Sequence, residues 1–268
     1  MIKKKYKIVF VVLVYKNTQD IIDFIKSVQE NIEDVKIVIV DAFYSNEVSD
    51  RIDKIAGKYD TDVIHIENKG YGYGNNKGIE YVHNNYEYSN LIIANPDTII
   101  KKLDYNCLRK INNGIIGPKI VTKNRKNQNP YWYANNRLGE ALIYQGCKRN
   151  KKILRYVAYI INKVIREIYI LWFKYIGKDM GKVFAVHGSF VIFTKSAIEK
   201  LMPLYDENMF LFAEEAYLAH RAKEKGIKTY YTENVEVLHK EDGSMAGTNI
   251  NEEKIYKESI IYYYEKFH

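Results

Sequence analysis

The feature that most constrains this chain is an alternation. Between residues 6 and 120, short runs of apolar and β-branched residues take turns with longer segments of helical spacing. "KIVFVVLVY", "VKIVIVD", "DVIHIE", "LIIAN" and "GIIGPKI" read as strands, and 18–31, 46–58 and 74–85 read as helices. Strands apolar on both faces need cover on both faces. This predicts an α/β fold, a Rossmann-like and mostly parallel sheet with helices on either side. Ligands of such sheets sit beyond the carboxyl ends of the strands. Tyr15, Asp41, Asn68, and Asn95 with Asp97 follow the first four strands in turn, so four polar landmarks converge there.

Two stretches carry most of the local information. In "LIIANPDTII" (91–100) an apolar run breaks at Asn95, Pro96 and Asp97 and then resumes. Proline cannot donate to a ladder and aspartate is depleted inside strands, so the break marks a buried strand coming to the surface. In "ENKGYGYGNNKGIEYV" (67–82), Gly70, Gly72, Gly74 and Gly78 would let backbone approach a ligand closely before a helix begins. The loop lacks the Gly-Lys-Ser/Thr of a Walker motif, and it follows the third strand where a dinucleotide fingerprint would follow the first.

Composition narrows the class. With 268 residues, 47% of them hydrophobic, the chain can bury a sizeable core and is not a disordered one. Its two cysteines, Cys107 and Cys147, are too few for a disulfide framework or a metal knuckle, which points to a reducing, cytoplasmic setting. The opening "MIKKKYKIVFVVLVYKN" has a short apolar run and no small-residue cleavage site, so it reads as a first strand and not as a signal peptide. No stretch reaches the roughly 18 apolar residues of a membrane span.

The carboxyl-terminal half is less regular at first. Residues 122–150, rich in Asn and Lys, read as loop or variable insertion. "VFAVHGSFVIFTKSAIEKL" suggests strand then helix, "EEAYLAHRAKEKG" a helix ended by Gly226, "KTYYTENVEVLH" two short strands, and "NEEKIYKESIIYYYEKF" a closing helix. Residues 1–268 are expected to form a single domain. Its parts are a donor half (6–120), an insertion (121–182), an acceptor half (183–245) and a terminal helix (246–268).

These segments, in this order, resemble the family 2 glycosyltransferases of GT-A fold, particularly the bacterial rhamnosyltransferase-like branch of surface polysaccharide synthesis. "VVLVYKN" looks like that family's opening strand, "IVIVDAFYSN" its second strand with the nucleobase-side Asp, and "ENKGYGYGNNKGI" its Asn-x-Gly loop. "IIANPDT" is similar to the family's divergent metal motif, "MFLFAEEAYLAHRAKEKG" to the acidic pair that opens its catalytic helix, and "VEVLHKEDGS" to its downstream His segment.

The resemblance implies a UDP- or dTDP-sugar donor held by Tyr15, Asp41, Asn68, Gly70, Asn76, Asn95 and Asp97. It implies Mn²⁺ or Mg²⁺ on Asp97 and His239, an oxygen-rich set suited to a hard cation beside a diphosphate. Glu215 is implied as the base that takes the acceptor's proton, with Glu214 as the fallback. The family's usual residue at 215 is Asp, and Tyr217 stands where it usually has another Asp. Gly188, Ser189 and Tyr217 are expected at the acceptor site. One base, one metal and no protein nucleophile imply a single displacement with inversion.

Between Lys148 and Lys178 the chain carries nine Lys or Arg against Glu167 alone, which equals its whole formal charge of +8. Apolar residues in that segment recur at helical spacing. A basic helix with a wide apolar and aromatic face reads as one lying in a membrane interface, at the inner face of the cell membrane, within reach of a polyprenyl-linked glycan acceptor. Packing on the chain's own core or on a second copy in a homodimer are the competing expectations. No nucleic-acid module surrounds the segment, so no nucleic-acid partner is expected. Two other classes compete with the transferase: a sugar-phosphate nucleotidyltransferase, which would need a basic Gly-rich loop where "VYKNTQD" stands, and a catalytically silent carbohydrate-binding scaffold.

Overall fold

The computed structural model describes residues 3–241 and 251–268. In chain order the elements are β1 (Lys4–Val14), α1 (Thr18–Asn31), β2 (Val35–Ala42), α2 (Asn46–Tyr59), β3 (Asp62–Ile66), α3 (Tyr71–Asn85), β4 (Tyr86–Ala94), β5 (Thr98–Leu103), α4 (Tyr105–Leu108), β6 (Gly114–Thr122), α5 (Arg137–Lys148), α6 (Lys152–Tyr175), β7 (Met180–Val183), β8 (Phe190–Thr194), α7 (Lys195–Leu201), α8 (Glu214–Glu224), β9 (Lys228–His239) and α9 (Glu252–Phe267). The expected boundary at 245/246 and the end of "VEVLHKEDGS" lie outside the described residues.

One sheet of order β3-β2-β1-β4-β8-β6-β9-β5, with β7 added beside β9, organises the fold. The expected parallel arrangement holds for β3-β2-β1-β4 and again for β6 with β9. The other pairings, β4–β8, β6–β8, β5–β9 and β7–β9, are antiparallel, so the second half of the sheet is mixed. Alternation along β1 separates two cores. Ile8, Phe10, Val12 and Val14 pack under α1 and α2, while Val9 and Val11 pack under α3, α7 and the inner face of α6. This two-sided burial is what the near-continuous apolar runs require.

Helix ends follow their capping residues. Asn17 accepts a hydrogen bond from the Gln19 amide to start α1, and Ser45 accepts from Val48 to start α2. Past α8, Gly226 takes the left-handed conformation expected of a helix stop.

Three expectations are corrected. The segment 122–150 contains a real helix, α5, capped by Asn136; Ile143, Tyr144 and Cys147 form its buried face. "KTYYTENVEVLH" is one strand and not two, but its pairing with β6 shifts register between Thr232 and Glu236, which the sequence shows as a polar break at Thr232-Glu233-Asn234. Finally, α3 begins at Tyr71, so Gly72, Gly74 and Gly78 lie inside a helix.

Those three glycines serve packing, not a phosphate cradle. A Cβ at Gly74 would lie 2.5 Å from Leu13 Cδ1, and one at Gly78 would lie 2.4 Å from Val11 Cγ1 and 2.8 Å from Val40 Cγ2. The valines are fully buried and stiff at χ1, so they cannot yield cheaply. An alanine at 78 gains about 1 kcal/mol of helix propensity but incurs overpacking of about 1–3 kcal/mol. Gly78→Ala is therefore expected to lower stability in urea unfolding, while Gly57→Ala, in an exposed part of α2 with open space around it, raises it.

Candidate functional site

The sheet's topology builds the site at the end of β4. Asn95 donates its amide to the Ser189 carbonyl (2.8 Å), and its own carbonyl accepts from Thr98 N–H (3.2 Å) and Thr98 Oγ1 (2.7 Å). Asn-Pro-Asp-Thr is thus a turn that ends a parallel strand and launches β5 in a new direction. Because β5 runs antiparallel to β9 with Thr98 opposite His239, Asp97 arrives beside the His239 ring.

The two side chains meet with a definite chemistry. His239 Nδ1 faces Gln128 Oε1 at 2.8 Å, while the Gln128 amide nitrogen donates to Glu241 Oε1 at 3.0 Å. With that orientation of Gln128, His239 Nδ1 carries the proton and Nε2 presents a lone pair. Nε2 lies 3.3 Å from Asp97 Oδ2. Two acceptors facing each other at this distance require either a shared proton or a cation between them. A carboxylate and an imidazole oriented by its second nitrogen form a donor set that fits Mn²⁺ or Mg²⁺, provided other ligands are oxygens.

Asp97 and His239 border a cleft of about 460 Å³ that also touches Tyr15, Asn17, Asp20, Ala42, Asn68, Gly70, Tyr71, Asn95, Gln128, His187, Phe210 and Leu211. Of the expected donor residues, Tyr15, Asn68, Gly70, Asn95 and Asp97 all line it. Gly70 is there of necessity: at φ +106° any Cβ would lie 2.3 Å from the Phe210 carbonyl oxygen, which accepts from Tyr71 N–H at 2.8 Å.

Asp41 does not itself line the cleft; it is fully buried, one residue before Ala42, which does. Its Oδ2 accepts from Ser49 Oγ and from His65 Nδ1 (2.9 Å), and its Oδ1 is buried without a partner. An orphaned carboxylate oxygen next to a ligand cleft is an acceptor in want of an N–H. The hydrogen bond to Asp41 is the main reason the His65 pKa is raised; the same ring also reaches Asp53.

Other expectations change. Asn76 spends its amide on the chain itself, donating to the Tyr205 carbonyl (3.0 Å) and to Glu207 (3.1 Å) while accepting from Tyr205 N–H. It clamps α3 to the 205–207 turn and does not line the cleft. Tyr217 is buried in a small core with Met209, Ala213 and Tyr263, edge-on to Phe267; it is a packing residue and not an acceptor contact. Gly188 and Ser189 stand behind the cleft wall, joining it to β4 through Asn95, to α3 through the Tyr71 hydroxyl on the Gly188 carbonyl, and to α8 through Glu215.

Two consecutive left-handed residues, Phe212 (φ 75°) and Ala213 (φ 69°), precede α8. Neither is glycine, so the turn stores strain that the surrounding packing must hold. It delivers Glu214 and Glu215 to the helix's first turn, where the macrodipole favours a carboxylate. Glu215 Oε1 accepts from Gly188 N–H at 3.2 Å. Burial raises the Glu215 pKa, opposed by that N–H and its own. Burial and then the neighbouring Glu215 charge push Glu214 up to about 8, and Glu214 Oε1 has no partner.

His187 was not foreseen. Its Nδ1 accepts from the Ser189 amide (3.2 Å) and faces Ser189 Oγ (2.9 Å), leaving Nε2–H free as a donor at the cleft. Burial, with His239 beside it, pushes its pKa down to about 3, so the ring is neutral. Only its place just before Gly188-Ser189 hinted at a role. Gln128 left no trace at all, since it sits 111 residues from the His239 that it orients.

No family model matches this sequence, and no curated protein does. Solved structures do match. GalNAc-T7 with UDP, GalNAc and Mn²⁺ superposes over 87% of this chain at a TM-score of 0.60 and 12% identity. S. aureus TarS superposes over 85% of it at a TM-score of 0.53 and 13% identity. This is a GT-A fold. The chain spans 44% of that GalNAc-T7 chain and 36% of the TarS chain, or 60% of a TarS fragment of residues 1–349.

The Glu214 shift has a measurable consequence. Its folded-state value lies above that of an unfolded glutamate, so the neutral carboxyl's contribution is complete at low pH and is lost as pH rises from about 4.5 toward 8. Stability should fall across that window by up to roughly 1.4 kcal/mol per pH unit. Glu214→Gln, followed by urea unfolding at several pH values, should flatten the slope and leave the part due to Glu215, whose pKa is also raised.

Proposed function

We propose that the protein is an inverting, divalent-cation-dependent glycosyltransferase. It moves rhamnose or another hexose from a UDP- or dTDP-sugar to a hydroxyl of a growing, lipid-linked bacterial surface glycan. The observation that carries this reading is the opposed pair of acceptors, Asp97 Oδ2 and His239 Nε2, at the edge of a cleft in a GT-A fold. A neighbour of that fold was solved with UDP and Mn²⁺, which supports the same ligand class here.

The residues divide the work by chemistry. Asp41 Oδ1 would accept the base's N–H, and Tyr15 would cover the base. Asp97 and His239 would hold the cation, which when bound neutralises the diphosphate charge. His187, whose ring lies 5.7 Å from that of His239, would donate Nε2–H to the donor beside the cation. The acceptor's oxygen then attacks the anomeric carbon, the bond from that carbon to the diphosphate oxygen breaks with its electron pair leaving on the diphosphate, and the acceptor proton goes to Glu215. Protonated Glu214 would leave Glu215 as the carboxylate of the pair; neither lines the cleft, and Glu215 is held behind its wall by the Gly188 N–H, from which it would have to reach the acceptor hydroxyl.

The membrane reading gains from α6. Ile153, Val157, Ile160, Val164, Ile168, Leu171 and Tyr175 form one exposed stripe along its length, with Trp172 and Tyr156 at its borders. Lys152, Lys163 and Lys174, spaced three helical turns apart, line up on one side of it. Part of the segment's charge is spent internally: Arg155 is buried against Glu253 (2.8 Å), and Lys148 pairs with Glu265 (3.1 Å). The remaining lysines around an apolar face suit an anionic bilayer. Asn162 bonds the Tyr131 carbonyl, and Tyr131 packs on His187, so the docked helix would bring the cleft near the lipid surface.

Two experiments test these readings. Calorimetry with UDP and dTDP, with and without Mn²⁺, should show metal-dependent binding of one nucleotide that Asp97→Asn abolishes; Glu215→Gln should keep binding but lose donor turnover by about 10²–10⁴-fold. Absence of nucleotide binding would instead favour the silent scaffold. Separately, the protein should co-sediment with anionic vesicles, and Ile160→Asp with Leu171→Asp should release it. Stable dimers that these changes dissociate, with no vesicle binding, would mark the face as an interface between copies.

A further inference from the structure

Away from the cleft, three side chains from three helices turn toward one point. Glu140 comes from α5, His220 from α8 and His268 from the residue just past α9. Glu140 and His220 are buried at 5% and 7% exposure. His220 Nε2 lies 3.1 Å from Glu140 Oε1 and 3.3 Å from Oε2, and His268 Nε2 lies 2.9 Å from Oε2. All three ligand atoms fall within 4.8 Å of one another.

The surroundings are as specific as the cluster. Phe184 meets His220 edge-on and Phe267 stacks on it at 5.0 Å, closing an aromatic box. Tyr263, 3% exposed, turns its hydroxyl toward Glu140 without closing a well-formed hydrogen bond to it. The O–H is thus placed at the edge of the cluster, where it can also bond a group held by these side chains.

We propose that Glu140, His220 and His268 form a zinc site, with a fourth, water ligand bonded by the Tyr263 hydroxyl, that fastens α9 to α5 and to the catalytic helix α8. Two imidazoles and one carboxylate are borderline donors that select Zn²⁺ over Mg²⁺ or Ca²⁺. Ligand atoms of a tetrahedral zinc site stand ~3.3 Å apart; both imidazole nitrogens lie 2.9–3.3 Å from Glu140 oxygens and within 4.8 Å of each other. Phe184 and Phe267 shield His220 from bulk water and fix its ring, which strengthens its hold. The site is independent of the donor cleft, and it bears on catalysis only by anchoring the helix that carries Glu214 and Glu215.

The test uses the full chain without a polyhistidine tag, since a tag binds zinc itself, in an Asp97→Asn background, so that the cleft contributes no metal. Zinc alone is titrated by calorimetry in excess Mg²⁺, and thermal unfolding is followed with and without it. One zinc per chain and a raised Tm are expected. Co²⁺ should give the intense visible absorption of a four-coordinate site. His268→Ala removes a ligand at the exposed end and leaves the core intact, and it should weaken zinc by about 100-fold or more and erase the Tm rise. His220→Gln checks the buried side. Equal zinc affinity in His268→Ala, or no stoichiometric binding in the parent, would overturn the proposal and leave the cluster as a carboxylate hydrogen-bonded by two imidazoles.

Discussion

The pairing of β5 with β9 is the constraint on which the rest of the site depends. It sets Thr98 opposite His239, and it does so only because β4 ends in a turn that a proline and a short polar pair can make. From that pairing follow the approach of Asp97 to the imidazole, the reach of Gln128 from across β6, and the anchoring of Lys240 on Asp20 and Asp23 of α1. A shift of one residue between these strands would take Thr98 away from His239 and with it Asp97 away from the imidazole. The segment that leads into β8 is tied to the same point from the other direction, through the Asn95 amide on the Ser189 carbonyl.

How much of this the sequence made legible varies with the range of the interaction. The strands β1 to β4 and helices α1 and α2 were readable because both faces of the strands are buried and each helix carries its own cap. Asp97 and His239 were readable as parts of a familiar order of motifs. The glycines of α3 misled, because a residue without a side chain looks the same whether a ligand or a neighbouring valine fills the space. Asn76 and Tyr217 misled for a related reason: a polar amide can be consumed by backbone far away in sequence, and a tyrosine can be core. α5 was hidden by Asn- and Lys-rich flanks. Its apolar face is narrow, and it is buried not by the sheet but by α6 and α9.

The two helical additions, α6 and α9, make a third small core beside the sheet. Trp132, Ile143, Cys147, Ala158, Ala185 and Ala219 meet there, with Tyr256 and Ile260 of α9 packed against them. Arg155 explains how a basic helix can belong to this core at all. Its guanidinium is buried, but it is paired with Glu253, whose pKa it pulls down to about 2. The same helix therefore offers one face to the protein and leaves the opposite one, apolar and lysine-edged, to the outside.

The orientation of His239 rests on Gln128, which lies in the stretch between β6 and α5, where no ladder fixes the residue type. In the genetic code glutamine stands a single base change from both glutamate and lysine. Glutamate there would draw the Nδ1 proton harder and enrich the electron density at Nε2, whereas lysine would supply a donor and reverse the tautomer. The lone pair that faces Asp97 is thus set by a residue outside the β5–β9 pairing, and a change there would alter the Asp97–His239 pair without altering either member.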